Sequence, residues 1–319
     1  MKVLHIINAF EPDGPGRLTL DLAVRLTRNH GAECRVAALS RGGPLRREFE
    51  AAGVPADVVG GRPLSAALRL ERLIREFRPD VAHTHLLRAD LLGRWAAARI
   101  GVRAIVSTEH GIHTWDSRGR RWRPWIARAF RYTARRAARI VAVSRYVRDA
   151  LAAEKIAAEK IAVIYNGVDM ARFQPLSEAR RAEARRAFGV DPAAPLLVAA
   201  GTMAPLKGHA DLVLALPPLL HSRERASLRA IIAGDGPERA RCERLARGLG
   251  LGERLRFVGH IGEDLPRLLG CADLLVQPSR MESFGLAVAE AMACGVPELA
   301  TRVGGLPETI ADGATGFLV

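Results

Sequence analysis

Short apolar runs, many of them β-branched, recur along the chain, separated by segments whose apolar positions repeat at helical spacing. In the first half the runs Val3–Ile7, Cys34–Leu39, Asp57–Val59, Val81–His83, Ala104–Thr108, Ile140–Val143 and Ile161–Ile164 read as buried strands. Helical patterns fall between them, as at Leu64–Phe77 and Leu86–Arg99. The periodicity stops at Tyr165–Pro175, YNGVDMARFQP, and a strongly charged helix, Ser177–Phe188, follows before DPAAP. The alternation then restarts, with strands predicted near Leu196–Ala200, Leu228–Ala233, Arg256–Val258, Leu274–Gln277, Glu298–Thr301 and Phe317–Val319. Strand and helix taking turns is the mark of βαβ units on parallel sheets. The expected fold class is therefore α/β, with two doubly wound parallel-sheet domains: residues 1–165, a hinge over 166–195, and residues 196–319. Two such units place ligands at the carboxyl ends of their strands, in a central cleft.

Length and composition agree with this. A chain of 319 residues, 49% hydrophobic and 26% charged, fits two globular domains. No apolar run approaches the ~20 residues that span a bilayer. The N-terminal MKVLHIINAF reads as a strand rather than a signal peptide. Cys34, Cys242, Cys271 and Cys294 are scattered, as reduced core thiols of a cytoplasmic protein would be. The net charge of +14 invites a nucleic-acid reading, but the skew within its cations weakens it. Of the 48 cations only Lys2, Lys155, Lys160 and Lys207 are lysines, a bias expected from base composition, so nucleic acid is not an expected partner.

The chemistry concentrates in PSRMESFGLAVAEAMACG, Pro278–Gly295. From Gly285 to Cys294 the only polar side chain of a helix-like segment is Glu290. A helix apolar all round belongs in an interior, where an unbonded carboxylate costs roughly several kcal/mol. Glu282 lies just ahead of the helix start, with Ser283, Phe284, Gly285 and Leu286 at the amide-rich end that suits phosphate. One arrangement uses both acids: phosphate on the amides, a sugar on Glu282, a ribose diol on Glu290. GTMAPLKGH, Gly201–His209, sets a glycine turn and Lys207 between a strand and a helix, which suits a diphosphate; GxxxxGK[ST] is absent. Gly14 and Gly16 follow the first strand without forming GxGxxG, so no dinucleotide cofactor is expected. His110 sits at the carboxyl end of the strand Ala104–Thr108. His83 and His85 share one strand face; with no third ligand near them in sequence, a packed pair is favoured over zinc, and no metal is expected.

The spacing E-x7-E within PSxxExFGLxxxEAMAxGxP resembles the signature of the retaining glycosyltransferases of family 4, which have the GT-B fold. NGVD and the tail TRVGGLPETIADGATGFLV are similar to the same family. The resemblance implies two Rossmann-like domains and transfer of a sugar from a nucleotide-sugar, UDP more commonly than GDP, to a glycan or lipid-linked acceptor in envelope or exopolysaccharide synthesis. It implies catalytic roles for Glu282, His110 and Lys207. Donor binding would fall to Gly16, Thr202, Lys207, Val258, Glu282, Ser283, Phe284, Gly285, Leu286 and Glu290. Thr202 stands where the family usually has Arg, and Gly16 lies in a loose match to its GGxE. The donor is a substrate, so no cofactor is implied, and without a DxD triplet the transfer would be metal-independent. The alternatives are a GT-B UDP-sugar epimerase, against which the intact ExFGL…EAMA motif speaks, and a truncated nucleotide-binding relic. Resembling enzymes continue past TGFLV with further helices, so a chain stopping at Val319 is expected to lack part of the outer layer.

One segment suggests a surface. Nine arginines lie between Arg118 and Arg139, with Trp115, Trp122 and Trp125 at one end. A helix after Pro124 would present Arg128, Arg131, Arg135 and Arg139 on one face, as an interfacial helix on anionic lipid does. The expected localisation is cytoplasmic, peripheral on the inner face of the membrane.

Overall fold

The computed structural model describes the chain except Arg41, Arg62 and residues 112–123 and 222–226. The described residues divide after Asn166 into two compact units.

The first unit carries the strands β1 (Lys2–Ile7), β2 (Glu33–Ala38), β3 (Ala56–Val58), β4 (Val81–His85), β5 (Ala104–Glu109), β6 (Arg139–Ala142) and β7 (Ile161–Val163). They form one sheet in the order β3-β2-β1-β4-β5-β6-β7, every pairing parallel. The second unit has β8 (Leu196–Ala200), β9 (Arg229–Ala233), β10 (Leu255–Gly259), β11 (Leu274–Gln277), β12 (Glu298–Ala300) and β13 (Gly316–Leu318), in the parallel order β10-β9-β8-β11-β12-β13. In both, the opening strand is flanked by its successor on one side and by the fourth strand on the other. That reversal creates a topological switch point, between β1 and β4 and between β8 and β11, where doubly wound sheets receive ligands. Continuous apolar runs form these strands because helices cover both faces. Leu4, Ile6 and Ala82 pack with Leu70 and Ile74 on one side, and Val3, Ile7 and Val36 with Leu20 and Phe49 on the other.

The segment expected as a hinge differs from its reading. Residues 167–195 belong to the second unit, and its charged helix, observed at Glu178–Ala187, is built into that core. Arg185 is buried and donates to the carbonyls of Cys271 (2.9 Å), Pro192 (2.8 Å) and Ala194 (2.9 Å) and to the Asp273 carboxylate (2.7 Å). Charge concealed this role, because the arginine satisfies loop carbonyls instead of facing water.

The basic helix is also shorter than read. It runs Pro124–Ala134, so Arg135 lies past its end and Arg139 begins β6; Arg131 is paired with Glu154 at 3.0 Å. Phe130, Thr133 and Ala134 face inward, while Trp125 and Tyr132 are 61% and 57% exposed. Trp115, Trp122 and the arginines from Arg118 to Arg123 lie outside the described residues. No helix among the described residues is long and apolar enough to cross a membrane.

Candidate active site

In the second unit the loops after β8 and β11 meet at the switch point. After β8, Pro205 opens the single 3-10 turn Pro205–Lys207, and Gly208 follows in the left-handed region at φ +66°. A Cβ on Gly208 would lie 1.9 Å from the Pro278 carbonyl oxygen, so only glycine lets the two loops close. The Arg280 amide donates to the Leu206 carbonyl at 2.8 Å, and the Arg280 guanidinium clasps Asp211 through two bonds of 2.8 and 2.7 Å. This stitching sets Lys207 beside Glu282, seventy-five residues away in sequence.

The Lys207 ammonium donates to Glu282 Oε2 at 2.6 Å. The same oxygen lies 3.3 Å from Ser279 Oγ and 3.4 Å from Gln277 Nε2, both donors to it, and the Ser283 amide donates to Oε1 at 3.2 Å. Gln277 and Ser279 are buried and bonded to one another at 2.8 Å. From behind, the Gly305 amide holds the Glu282 carbonyl at 2.9 Å. The carboxylate is thus oriented by four donors while its cation keeps partial access to solvent. Gln277 and Ser279 carried no functional reading in the sequence; their signal was their place at the end of β11, beside a switch point.

Gly285, at φ +90°, caps the helix Leu286–Ala293, so Ser283, Phe284 and Gly285 lead into its amide end. The helix is not enclosed on every side: Val288 and Ala291 are buried while Glu290 is half-buried. The carboxylate expected in the interior is thus half-buried, on a helix with no exposed residue whose Ala287, Met292 and Ala293 also pack against the core. Thr202 is exposed just after β8, and Val258 is half-buried at a register shift that ends β10. His209, buried next to Gly208 and held neutral by burial with its pKa near 4, went unnoticed in the sequence.

In the first unit the helix begins at Gly14, with Asp13 capping it by accepting from the Gly16 amide at 2.8 Å. A Cβ on Gly16 would fall 2.2 Å from the Glu11 carbonyl oxygen, so an internal close approach accounts for this glycine. His110 is not solitary. The Nδ1 of His85 lies 3.2 Å from His110 Nε2, and His85 Nε2 lies 3.3 Å from His5 Nδ1. Burial lowers the pKa of His5 and His110 to about 4 and those of His83 and His85 well below the usual value, so all four are neutral at pH 7. Three neutral rings joined by two hydrogen bonds must leave one N–H and one lone pair over. Among the described residues the buried His5 Nε2 and His110 Nδ1 have no partner, and they are those two ends. The pair His83/His85 thus gains in space the neighbour it lacks in sequence, because β1 pairs with β4 and sets His5 opposite His83.

The opposite face of the same strands holds a buried ionic network. Arg94 donates to Glu109 at 2.6 Å and to Ser107 Oγ at 2.7 Å, lies 3.4 Å from Asp90, and stacks over Phe130 at 4.7 Å. Thr84 donates to Asp90 at 2.5 Å.

The family Glycosyl transferases group 1 matches residues 180–319, and Glycosyltransferase Family 4 matches residues 12–172. The D-inositol 3-phosphate glycosyltransferase of Streptomyces scabiei is 33% identical over 75% of this chain and 56% of its own length. The GDP-mannose-dependent alpha-(1-6)-phosphatidylinositol monomannoside mannosyltransferase of Mycolicibacterium smegmatis is 34% identical over 80% of this chain and 67% of its own. The chain thus spans between half and two thirds of these relatives. The crystal structure of Anabaena HepE in complex with UDP-glucose is similar at a TM-score of 0.87 and 25% identity, covering 100% of this chain and 85% of that one. The chain belongs to glycosyltransferase family 4, and its two parallel-sheet units are the Rossmann-like domains of a GT-B fold.

Proposed function

We propose that the chain takes part in retaining transfer of a sugar from a nucleotide-sugar to an acceptor hydroxyl. The observation that carries this reading is the Lys207–Glu282 pair, held by loops from adjacent strands at the switch point of the second unit. In the oxocarbenium-like transition state, charge develops on the departing diphosphate. The amides of Ser283–Leu286 would meet that charge from fixed backbone positions, and Lys207 would meet it once it exchanges Glu282 for phosphate. Glu282, released from Lys207 as phosphate takes the ammonium, would orient sugar hydroxyls; Glu290 would hold the ribose, with Thr202 and Val258 bordering the nucleotide. Gly16 would serve donor binding, and His110 the acceptor side as a neutral imidazole. Anabaena HepE was crystallised with UDP-glucose and the mycolicibacterial relative is GDP-mannose-dependent, so a UDP-sugar is the first donor to test and a GDP-sugar the second. The acceptor is a glycan or a lipid-linked molecule of the cell envelope; relatives named for inositol phosphate and phosphatidylinositol monomannoside favour an anionic one.

Thermal denaturation with a panel of UDP-, GDP- and ADP-sugars tests this reading, since a ligand of the native state raises its melting temperature. The expected result is stabilisation by one nucleotide class, weakened in Lys207→Ala by roughly 1–3 kcal/mol of diphosphate affinity, the range for a charge-assisted hydrogen bond. No response to any nucleotide would remove the proposal.

A further inference from the structure

The histidines of the first unit form a cluster that sugar transfer does not call for. His5 comes from β1, His83 and His85 from β4, at the switch point of that sheet. One nitrogen from each lies within 4.8 Å of the other two. His5 and His85 are almost wholly buried and His83 is half-buried.

We propose that His5, His83 and His85 bind a first-row transition-metal ion, with Zn²⁺ the foremost candidate.

Three features of the geometry carry the assignment. An ion bound at Zn–N distances of about 2.0–2.1 Å in tetrahedral geometry sets its ligand nitrogens about 3.3–3.4 Å apart. His5 Nδ1 and His85 Nε2 are 3.3 Å apart, longer than a good N–H···N bond and equal to that tetrahedral edge. Ring centroids in such a site lie about 5 Å apart by the same construction. His5 stands 5.2 Å from His83 and 5.6 Å from His85, whereas His83 and His85, at 4.2 Å, would open slightly on binding.

The third feature is the set of partners behind the ligands. A metal-bound imidazole usually donates its second N–H to an oriented acceptor. His83 has the Thr108 hydroxyl at 2.8 Å from Nε2, and His85 has His110 Nε2 at 3.2 Å from Nδ1. Among the described residues His5 alone lacks such a partner, so it is the least firmly oriented of the three. Three imidazoles suit zinc, copper, nickel or iron rather than magnesium or calcium. With three protein ligands, a fourth position is left to a small molecule, the open type of site.

The test uses the full chain, free of any affinity tag, stripped with chelator and titrated with Co²⁺ and with Zn²⁺. The expected result is one equivalent of Co²⁺ giving the visible absorption of a tetrahedral ion, displaced by Zn²⁺, and one Zn²⁺ per chain retained through dialysis. His83→Asn, at the half-buried ligand, should abolish the spectrum, and Thr108→Val should weaken binding by about 10-fold or more through loss of the orienting hydroxyl. Zn²⁺ should raise the melting temperature of the parent chain and leave that of His83→Asn unmoved, which separates loss of the site from loss of the fold. Sub-stoichiometric metal without a tetrahedral spectrum in the parent chain would overturn the assignment and leave a packed histidine cluster. Binding undiminished in a folded His83→Asn would also overturn it, placing the ion on the surface histidines.

Discussion

Glu298 lies on β12 between β11 and β13, fully buried, and neither of its carboxylate oxygens has a hydrogen-bond partner among the described residues. Burial pushes its pKa from 4.5 up to about 8. At pH 7 the folded chain therefore keeps the carboxyl protonated while the unfolded chain ionises it. The sign follows from proton counts. Between pH 4.5 and 8 the folded state binds more protons, so the contribution of this group to stability falls as pH rises; below and above that window it is level. At ~1.4 kcal/mol per pH unit, the ~2.5 units between 4.5 and 7 amount to a penalty of about 3 kcal/mol. Screening one strand from the sheet edge reduces this to roughly 1–3 kcal/mol. Glu298→Leu, of similar size, should thus stabilise the second unit by about that amount at pH 7 and by under about 1 kcal/mol of pH-dependent gain at pH 5. Urea denaturation at pH 5, 7 and 8.5 measures it. Circular dichroism is the suitable probe, because all four tryptophans precede Ile126 and report on the first half of the chain. A gain equal at pH 5 and pH 8.5, or none at either, would refute the reasoning.

Four further outcomes are expected. Glu290→Gln should weaken nucleoside diphosphate binding measured by calorimetry, while Glu282→Ala should chiefly depress turnover; unchanged affinity in the Glu290 variant would remove the ribose assignment. Arg94→Met should cost about 3–5 kcal/mol in chemical denaturation, because it removes the cation that faces Glu109 and Asp90 in the interior of the first unit. Gly208→Ala should destabilise by about 1–3 kcal/mol and reduce nucleotide affinity together, since the left-handed turn and the Pro278 contact both resist a Cβ. Sedimentation with anionic but not neutral vesicles, reversed by salt and lost in Trp125→Ala, is expected of the exposed aromatic and basic face at Pro124–Ala134; equal binding to both vesicles would sink the membrane reading.

The strands were legible in the sequence because most are short apolar runs with largely buried positions, a signal that does not depend on their neighbours. Every strand expected is present, with ends shifted by a residue or two. The candidate site was legible only as separate pieces. Glu282 and Lys207 could be named from their motifs, but their contact depends on β8 lying next to β11, a long-range fact that periodicity does not encode. The histidines show the same limit more sharply. His83 and His85 share a face by alternation alone, yet His5 joins them only because β4 leaves the sequential order and pairs with β1. The misread segments have a common cause too. In Glu178–Ala187 and Leu286–Ala293 composition was taken for environment. Arg185 is buried despite its charge because carbonyls and Asp273 surround it, and Glu290 is partly open although Val288 and Ala291 are buried and Ala287, Met292 and Ala293 pack against the same core. Pattern gives the faces of an element; what lies against each face is decided by strand order, and both switch points in this chain are places where that order departs from the sequence.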